Sequence, residues 1–438
     1  MGKVGAGAVV AAVLVIAACA SGQPPSRQPS VVSARPSATA AVHSSTPDAT
    51  PSSVPAATPS PTAAGLPSSL PVPSPPETPT VEHWGSFFGA TKGVNYDLET
   101  SPASVSLPGP VVQVASSNSD EYALLIDGSV YAWGLGTAGE LGDGSRQNSL
   151  IKPVRVQFPP GVSIAWLPTD VMPYDTAFAV DTSGRVWGWG NNGGGELCLG
   201  NTRSYDTPVQ LPLQGVTSLA GASNHALYDS GGTVYACGQN LEGSLGDGSF
   251  ASSTRPVRVR GLDGSSVIEL VAAFANSGAL LSDGEYFDWG YNHNGQLGDG
   301  QLGGPSDVPV RVPLPHPVTE VAQGGSIWNN GQTLAVLSDG SLWSWGDDSD
   351  YQLGNGTTGM APSPVRFYSP PGVIYESLAT GSATSYAVST AGNVYAWGTS
   401  FVGQLGNGTT GIASAPVLVA SGATEISATA NNVVIGNP

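Results

Sequence analysis

The chain has few charged side chains, and basic ones are the scarcest. Asp, Glu, Lys and Arg make up 11% of its 438 residues, and 32 acidic side chains outnumber 14 basic ones. Proteins bind phosphate backbones through clustered Lys and Arg, and this sequence has no run of five or more basic residues. We therefore expect no nucleic-acid partner, and the formal charge of −18 gives a weak bias toward cationic partners.

Metal-binding and catalytic patterns are also missing. The 5 His and 3 Cys show no pair at zinc-ligand spacing. Asp-Gly and Asn-Gly pairs recur once per repeat, and a single carboxylate cannot supply the six to eight oxygens that calcium prefers. No nucleophile elbow, phosphate loop or dinucleotide fingerprint occurs in a strand-helix context. The sequence predicts no cofactor, no metal and no catalytic residue, although a triad built from distant loops would not show in a sequence.

The first residues have the features of an export signal. Lys3 precedes an apolar stretch, Val9 to Ala17, that is too short to span a bilayer as a mature helix. The stretch ends in Ile16-Ala17-Ala18-Cys19, which resembles a bacterial lipobox. We expect residues 1–19 to be a lipoprotein signal peptide with Cys19 lipidated, and the protein to be exported and anchored at the cell envelope or surface. The alternative is an ordinary signal peptide that contains a Cys.

Residues 20–79 are of low complexity. They contain 15 Pro among Ser, Thr and Ala, with almost no aromatic residues. Such a segment cannot bury enough apolar area to offset its ordering entropy. We expect a disordered, semi-extended tether.

The most informative feature of the remaining chain is a repeated dipeptide that closes a short apolar run. It recurs at intervals of 48 to 56 residues as Trp133-Gly134, Trp189-Gly190, Cys237-Gly238, Trp289-Gly290, Trp345-Gly346 and Trp397-Gly398. Each unit reads as four short strands, and four-stranded units at this period predict a β-propeller. A Trp that recurs once per blade at a strand end favours packing over ligand binding.

The two ends of the repeat region complement each other. Thr80 to Gly85 and Ser101 to Leu107 match strands three and four of a unit, whereas Thr424 to Ser427 and Asn432 to Ile435 match strands one and two. Pairing these fragments covers raw sheet edges. We therefore predict an all-β fold over residues 80–438, a seven-bladed propeller with one blade split between the ends of the domain.

The repeats resemble those of the regulator of chromosome condensation family, in particular at Gly295 to Gly300 and at Pro309 to Val312. The resemblance implies a seven-bladed propeller that acts through its surface. Family members include a nucleotide-exchange factor for a nuclear GTPase and a secreted inhibitor of β-lactamase, but no matched residue carries either activity over. The chain departs from the pattern at Gly193 to Gly200, at Cys237 and at Gly89 to Gly93.

Two of these departures involve cysteine. Cys198 and Cys237 lie in neighbouring units. Either they form a disulfide, which an exported protein permits, or they are two small buried side chains. The sequence leaves both readings open.

The loops after each Trp-Gly differ between units and project from one face of the ring. We predict a partner-binding arc there, made of Phe87, Phe88, Tyr291, His293, Asp347, Asp348, Tyr351 and Phe401. Each ring could instead fold back onto its own blade.

These observations favour a monomeric, surface-anchored, non-catalytic scaffold that binds an extracellular or envelope protein. The alternative is an envelope lectin or cell-wall-binding module, with Tyr291, Tyr351 and Phe401 stacking on sugars. An envelope hydrolase is the least favoured reading, since propellers also host enzymes.

Overall fold

The computed structural model describes residues 80–87, 98–117, 119–168, 175–222, 224–325, 331–367, 369–429 and 431–437. Its strands form seven four-stranded antiparallel sheets, which confirms the predicted seven-bladed propeller. Within these ranges no helix is long and apolar enough to cross a membrane. The proposed signal peptide with Cys19, the tether over 20–79, and Phe88 with the loop over 89–93 all lie outside the described residues.

Six blades are continuous in sequence, and each runs from an inner strand to an outer one. Blade 1 consists of β3 (Val111–Ser116), β4 (Asp120–Leu125), β5 (Val130–Gly134) and β6 (Ser149–Arg155). Blade 2 consists of β7 (Ile164–Trp166), β8 (Thr176–Asp181), β9 (Val186–Gly190) and β10 (Tyr205–Gln210). Blade 3 consists of β11 (Val216–Ala222), β12 (His225–Ser230), β13 (Thr233–Gly238) and β14 (Ser253–Arg258), with a 3₁₀ turn at Leu241–Gly243.

The next three blades repeat the same order. Blade 4 consists of β15 (Val267–Ala273), β16 (Asn276–Leu281), β17 (Tyr286–Gly290) and β18 (Ser306–Arg311). Blade 5 consists of β19 (Val318–Gly324), β20 (Gln332–Leu337), β21 (Leu342–Asp348) and β22 (Gly359–Arg366). Blade 6 consists of β23 (Tyr375–Thr380), β24 (Thr384–Ser389), β25 (Asn393–Ser400) and β26 (Gly411–Ser421).

Blade 7 is the split blade, and it closes the ring. It combines β1 (Thr80–Ser86) and β2 (Leu98–Val105) with β27 (Glu425–Ala428) and β28 (Asn432–Asn437), in the order β2-β1-β28-β27. Strands β1 and β28 pair in continuous register, from Thr80 opposite Asn437 to Gly85 opposite Asn432. Pairing of the two fragments satisfies backbone groups that would otherwise form open edges.

The recurring Trp side chains pack between neighbouring blades, as their spacing predicts. All six indoles, including Trp84 of the split blade, are fully buried. Trp84 Nε1 donates to the Gln404 carbonyl oxygen of the preceding blade at 2.7 Å, and Trp289 Nε1 donates to the Ser244 carbonyl oxygen at 2.9 Å. At these two junctions, and at those of Trp189 and Trp397, the indole joins two sheets by packing and by a hydrogen bond.

In blades 1, 3, 4, 5 and 6, a loop glycine accommodates the next blade's indole. A Cβ at Gly406 would lie 2.7 Å from Trp84 Nε1, and the residue has a φ of +68°. Any larger side chain there would meet both a steric clash and backbone strain. This contact explains why the Gly-x-Leu-Gly loop recurs with the Trp.

Polar side chains of the inner strands join the blades around the central channel. Glu425 Oε2 accepts a hydrogen bond from the Val114 amide at 2.9 Å, and Ser218 Oγ accepts one from the Leu270 amide at 3.0 Å. Glu269, Glu320, Glu376 and Glu425 line one cavity of this channel. Burial raises the pKa of Glu320 and that of Glu425 to about 7.

Candidate binding face

The face proposed to bind a partner is formed by the loops between strands one and two and between strands three and four of each blade; we call it the loop face. Its entry points are fixed by the glycine that follows the Trp, or Cys237 in blade 3, in each third strand. Gly134 has a φ of +126°, and a Cβ there would lie 2.4 Å from the Ser119 carbonyl oxygen. Glycine is therefore required for the turn that leads onto this face.

In the loops of blades 2 to 6, one buried side chain caps the backbone amide of the Leu five positions later. The Leu297 amide donates to Asn292 Oδ1 at 3.1 Å, and the Leu245 amide donates to Asn240 Oδ1 at 2.9 Å. The leucines themselves are buried. The base of each loop is thus held firmly, and variation is confined to residues at the tip.

The structure does not expose all of the arc predicted from the sequence. Phe87 is 1% exposed and stacks on His83 with ring centroids 6.1 Å apart. Tyr291 is 7% exposed and stacks on His293 at 4.7 Å. Both rings fold back onto the propeller, so neither offers its area to a partner in this conformation, while His293 itself is exposed.

The two acidic members of the arc are buried loop supports. Asp348 Oδ1 accepts the Leu353 amide at 3.0 Å, which is the capping role that Asn fills in blades 3 and 4. Asp347 accepts hydrogen bonds from Ser349 Oγ and Gln352 Nε2, both at 2.7 Å. Burial raises the pKa of both carboxyls, that of Asp348 to about 6. They hold their own loop and do not form an acidic contact surface.

Phe401 and Tyr351 remain at the loop tips. The Phe401 side chain is 69% exposed, whereas Tyr351 is half-buried with a φ of +64°. The structure therefore brings Phe401, Tyr351 and His293 to the surface of three successive blades, and it withdraws the other described members of the arc.

Sequence reasoning missed a second group of exposed apolar side chains on the same face. In blades 3 and 4 they lie three residues after the Asp of the Asp-Gly turn, and in blades 5 and 6 they are the second residue of the fourth strand. With their exposed fractions they are Phe250 (57%), Leu302 (52%), Met360 (52%) and Ile412 (61%). Together with Phe401 we call these residues the apolar rim. The recurring turn followed by one apolar residue was the sequence signal for them.

The apolar rim covers part of the ring. In blade 1 the residue three positions after Asp143 is Arg146, an exposed cation, where blade 3 has Phe250 three positions after Asp247. In blade 2 the matching loop carries Thr202 and Arg203, both exposed. We call blades 3 to 6 the apolar sector and blades 1 and 2 the polar sector, because the loop tips of blades 1 and 2 are polar at these positions, although Ile151 in β6 of blade 1 is also exposed.

Cys198 and Cys237 lie together at the junction of blades 2 and 3. Their Cα atoms are 5.6 Å apart and the two sulfurs form a disulfide. Both residues are buried. The bond joins the loop between β9 and β10 of blade 2 to β13 of blade 3, where the polar and apolar sectors meet.

Fold and face together define a seven-bladed propeller of Trp-Gly repeats with a rigid, sector-divided loop surface. The profile of the Regulator of chromosome condensation (RCC1) repeat matches residues 127–167, 183–228, 231–277, 283–327, 339–388 and 391–434. The chain therefore belongs to the regulator of chromosome condensation repeat family.

Known proteins support this assignment. The chain is 30% identical over 313 residues to the human E3 ubiquitin-protein ligase HERC2, covering 68% of this chain and 6% of HERC2. It is 30% identical over 279 residues to the Arabidopsis thaliana ultraviolet-B receptor UVR8, covering 62% of this chain and 61% of UVR8. The chain thus spans less than two thirds of either relative.

Solved structures show the same fold. Human WBSCR16 superposes with a TM-score of 0.70 at 18% identity, covering 82% of this chain and 98% of that one. Prp20p from Saccharomyces cerevisiae gives a TM-score of 0.70 at 21% identity, covering 83% of this chain and 92% of that one. At these identities the likeness concerns architecture.

Proposed function

We propose that this protein is a non-catalytic scaffold that binds a protein partner through the apolar rim of its loop face. The observation that carries the proposal is the run of exposed apolar side chains on four consecutive blades, opposite a sector with Arg146 and Arg203. Apolar anchors on rigid loops, surrounded by polar groups, are the usual composition of protein interfaces.

The acidic net charge of the chain and the partners of proteins with the same fold support a protein partner. The chain carries 32 acidic and 14 basic side chains, which favours a partner segment with basic residues beside apolar ones. Prp20p, which has the same fold, is described with binding to Gsp1p and histones, and yeast RCC1 has been solved bound to Kap60. The relatives thus support a binding role, while the identity of the partner is specific to each protein.

We further propose that the scaffold is displayed at the cell envelope. The lipobox-like sequence before Cys19 supports lipid anchoring, and the Pro-rich residues 20–79 support a tether that holds the propeller away from the bilayer. In this arrangement the loop face would be free to meet an envelope or extracellular protein.

The rim is tested by a pair of double variants. Phe401→Ser with Ile412→Ser removes two rim anchors, whereas Arg146→Ser with Arg203→Ser changes the polar sector. Truncation of interface anchors typically costs about 2 kcal/mol or more each, or at least roughly 30-fold in affinity. Crosslinking on intact cells should therefore lose its main adduct in the first variant and keep it in the second, with similar melting temperatures.

Retention of the same adduct by the rim variant, or its loss in both variants, would contradict the proposal. A lectin would be favoured instead if the wild-type protein bound a glycan array, both double variants lost that binding, and no protein adduct formed on cells.

A further inference from the structure

The junction between blades 6 and 7 and the junction between blades 1 and 2 share the same backbone contacts but differ in their side chains. In blade 6, Gln404 folds back so that its Oε1 accepts the Val402 amide at 2.8 Å, while its carbonyl oxygen accepts Trp84 Nε1. Its Nε2 then donates to Asn431 Oδ1 of blade 7 at 3.1 Å. An amide pair thus closes this junction with a neutral hydrogen bond.

Glu140 and Asp175 occupy the equivalent positions between blades 1 and 2. Glu140 Oε2 accepts the Ala138 amide at 2.6 Å, and its carbonyl oxygen accepts Trp189 Nε1 at 2.7 Å. The Asp175 carbonyl oxygen accepts the Asn191 amide at 2.7 Å, just as that of Asn431 accepts the Ser86 amide at 2.8 Å. The local backbone is the same, but two carboxylates have replaced the two amides.

Two carboxylates cannot make the hydrogen bond that Gln404 and Asn431 make, because both are acceptors when ionised. Glu140 is fully buried, and its Oε1 has no hydrogen-bond partner among the described residues. A buried acceptor left in this state is costly, and a neighbouring like charge increases the cost. A cation bound here, or a proton on one of the carboxyl groups, would offset this cost.

A third carboxylate converges on the same place. Asp120, Glu140 and Asp175 each bring a carboxylate oxygen within 4.8 Å of the others. Both Asp120 oxygens accept hydroxyl hydrogen bonds, one from Ser117 and one from Tyr122, and Asp175 accepts one from Ser119. Hydroxyl donors of this kind orient carboxylates and stabilise their ionised form, as outer groups do around metal ligands.

We propose that Asp120, Glu140 and Asp175 form a calcium site that joins blades 1 and 2. Each of the three carboxylates brings one oxygen to the cluster, and water would supply the rest of the six to eight oxygens that calcium takes. The donor set contains no nitrogen or sulfur, so zinc is disfavoured. The Asp-Gly turns offer one carboxylate per blade, whereas this site combines the first residue of β4, the loop between β5 and β6, and the residue before β8 of blade 2.

The Gln404–Asn431 pair supplies the design of the decisive variant. Glu140→Gln with Asp175→Asn installs at this junction the amide pair that already closes blades 6 and 7, so the variant should fold without the ion. In wild-type protein, exchanging EDTA for about 1 mM CaCl₂ should raise the melting temperature by roughly 2–5 °C. In the double variant this shift should vanish.

A matched control separates the site from general acidity. Asp283→Asn with Asp299→Asn also removes two carboxylates, and both side chains accept a turn amide that Asn can equally accept. Asn355 and Asn407 already fill the position of Asp299 in blades 5 and 6. This control should keep the full calcium shift, and MgCl₂ at the same concentration should give a smaller one because magnesium retains its water.

Calorimetric titration of EDTA-stripped wild-type protein with CaCl₂ gives an independent readout. We expect one ion per chain in wild type and none in Glu140→Gln with Asp175→Asn. Absence of both calcium binding and a calcium-dependent melting shift in wild type would overturn the site. An equal shift in the double variant would also overturn it, because the ion would then bind elsewhere.

Discussion

Cys198 and Cys237 form a disulfide at the two positions where other blade junctions place a glycine and a tryptophan. At those junctions a loop glycine packs against the next blade's indole, as Gly142 does against Trp189 and Gly246 against Trp289. Cys198 takes the glycine's left-handed conformation, with a φ of +59°, and Cys237 takes the place of the Trp. Cys237 Sγ lies 3.4 Å from the Glu196 carbonyl oxygen, where other junctions have the indole N–H.

The first prediction concerns this disulfide. It encloses a loop with a sequence separation of 39, so the chain-entropy relation gives a stabilisation of about 2–4 kcal/mol. Reduction, or Cys198→Ala with Cys237→Ala, should lower the free energy of unfolding by that amount in urea titrations.

A compensating variant sharpens the test of the disulfide. Cys198→Gly with Cys237→Trp rebuilds the contact of the other junctions, and it should recover part of the lost stability while becoming insensitive to dithiothreitol. Equal stability of oxidised and reduced wild type would show that the bond contributes nothing.

The second prediction concerns closure of the ring. Ile435 in β28 is fully buried beside β1 and β27, so Ile435→Ala should lower the free energy of unfolding by about 2–5 kcal/mol. Ile412→Ala makes the same deletion on the exposed apolar rim and should change the free energy of unfolding by about 0.5 kcal/mol or less. Chemical unfolding of both variants measures the contrast, and comparable losses would argue against a closed blade 7.

The third prediction concerns pH. Burial raises the pKa of Glu320 and of Glu425 to about 7, whereas an unfolded Glu titrates near 4.5. The folded chain therefore binds more protons between these values, and its stability falls as pH rises from about 4.5 to about 7, then levels off.

Glutamine variants isolate this channel effect. Glu320→Gln with Glu425→Gln removes both titrations, so the loss of stability between pH 5 and pH 8 should shrink by roughly 1–3 kcal/mol. An identical pH profile in the wild type and in this double variant would refute the assignment.

The fourth prediction concerns the anchor. Cys19→Ala should move the protein from the membrane fraction to the soluble fraction or the medium, because lipidation requires the thiol. Ser21→Ala, two residues beyond it, should leave the distribution unchanged. Membrane retention of the Cys19 variant would contradict lipid anchoring at this residue.

The architecture could be predicted from the sequence because it depends on periodic signals. The interval between Trp-Gly sites indicates the length of one blade, and the six sites indicate six continuous blades. The segments Thr80 to Gly85 and Asn432 to Ile435 predicted the closure that β1 and β28 make. Such periodic patterns reflect backbone pairing and burial, and short sequence segments are enough to predict both.

The binding face was less predictable, because it depends on which way single side chains turn. The sequence predicts Asp348 to be an exposed acidic loop residue, but its side chain is buried and accepts a hydrogen bond from the Leu353 amide. Contacts between blades are also hidden, since Glu140 and Asp175 meet across 35 positions of sequence through the geometry of two loops. The apolar rim was missed because its members are single apolar residues that belong to no periodic pattern.

The most direct measurement of the central claim is a photocrosslinking scan of the loop face on living cells. A photoreactive residue is placed in turn at the rim positions 250, 302, 360 and 412, and at positions 146 and 202 of the polar sector. We predict that one protein adduct forms at the rim positions and not at the polar ones. Adducts of equal yield at positions 146 and 202, or none at any rim position, would contradict the account.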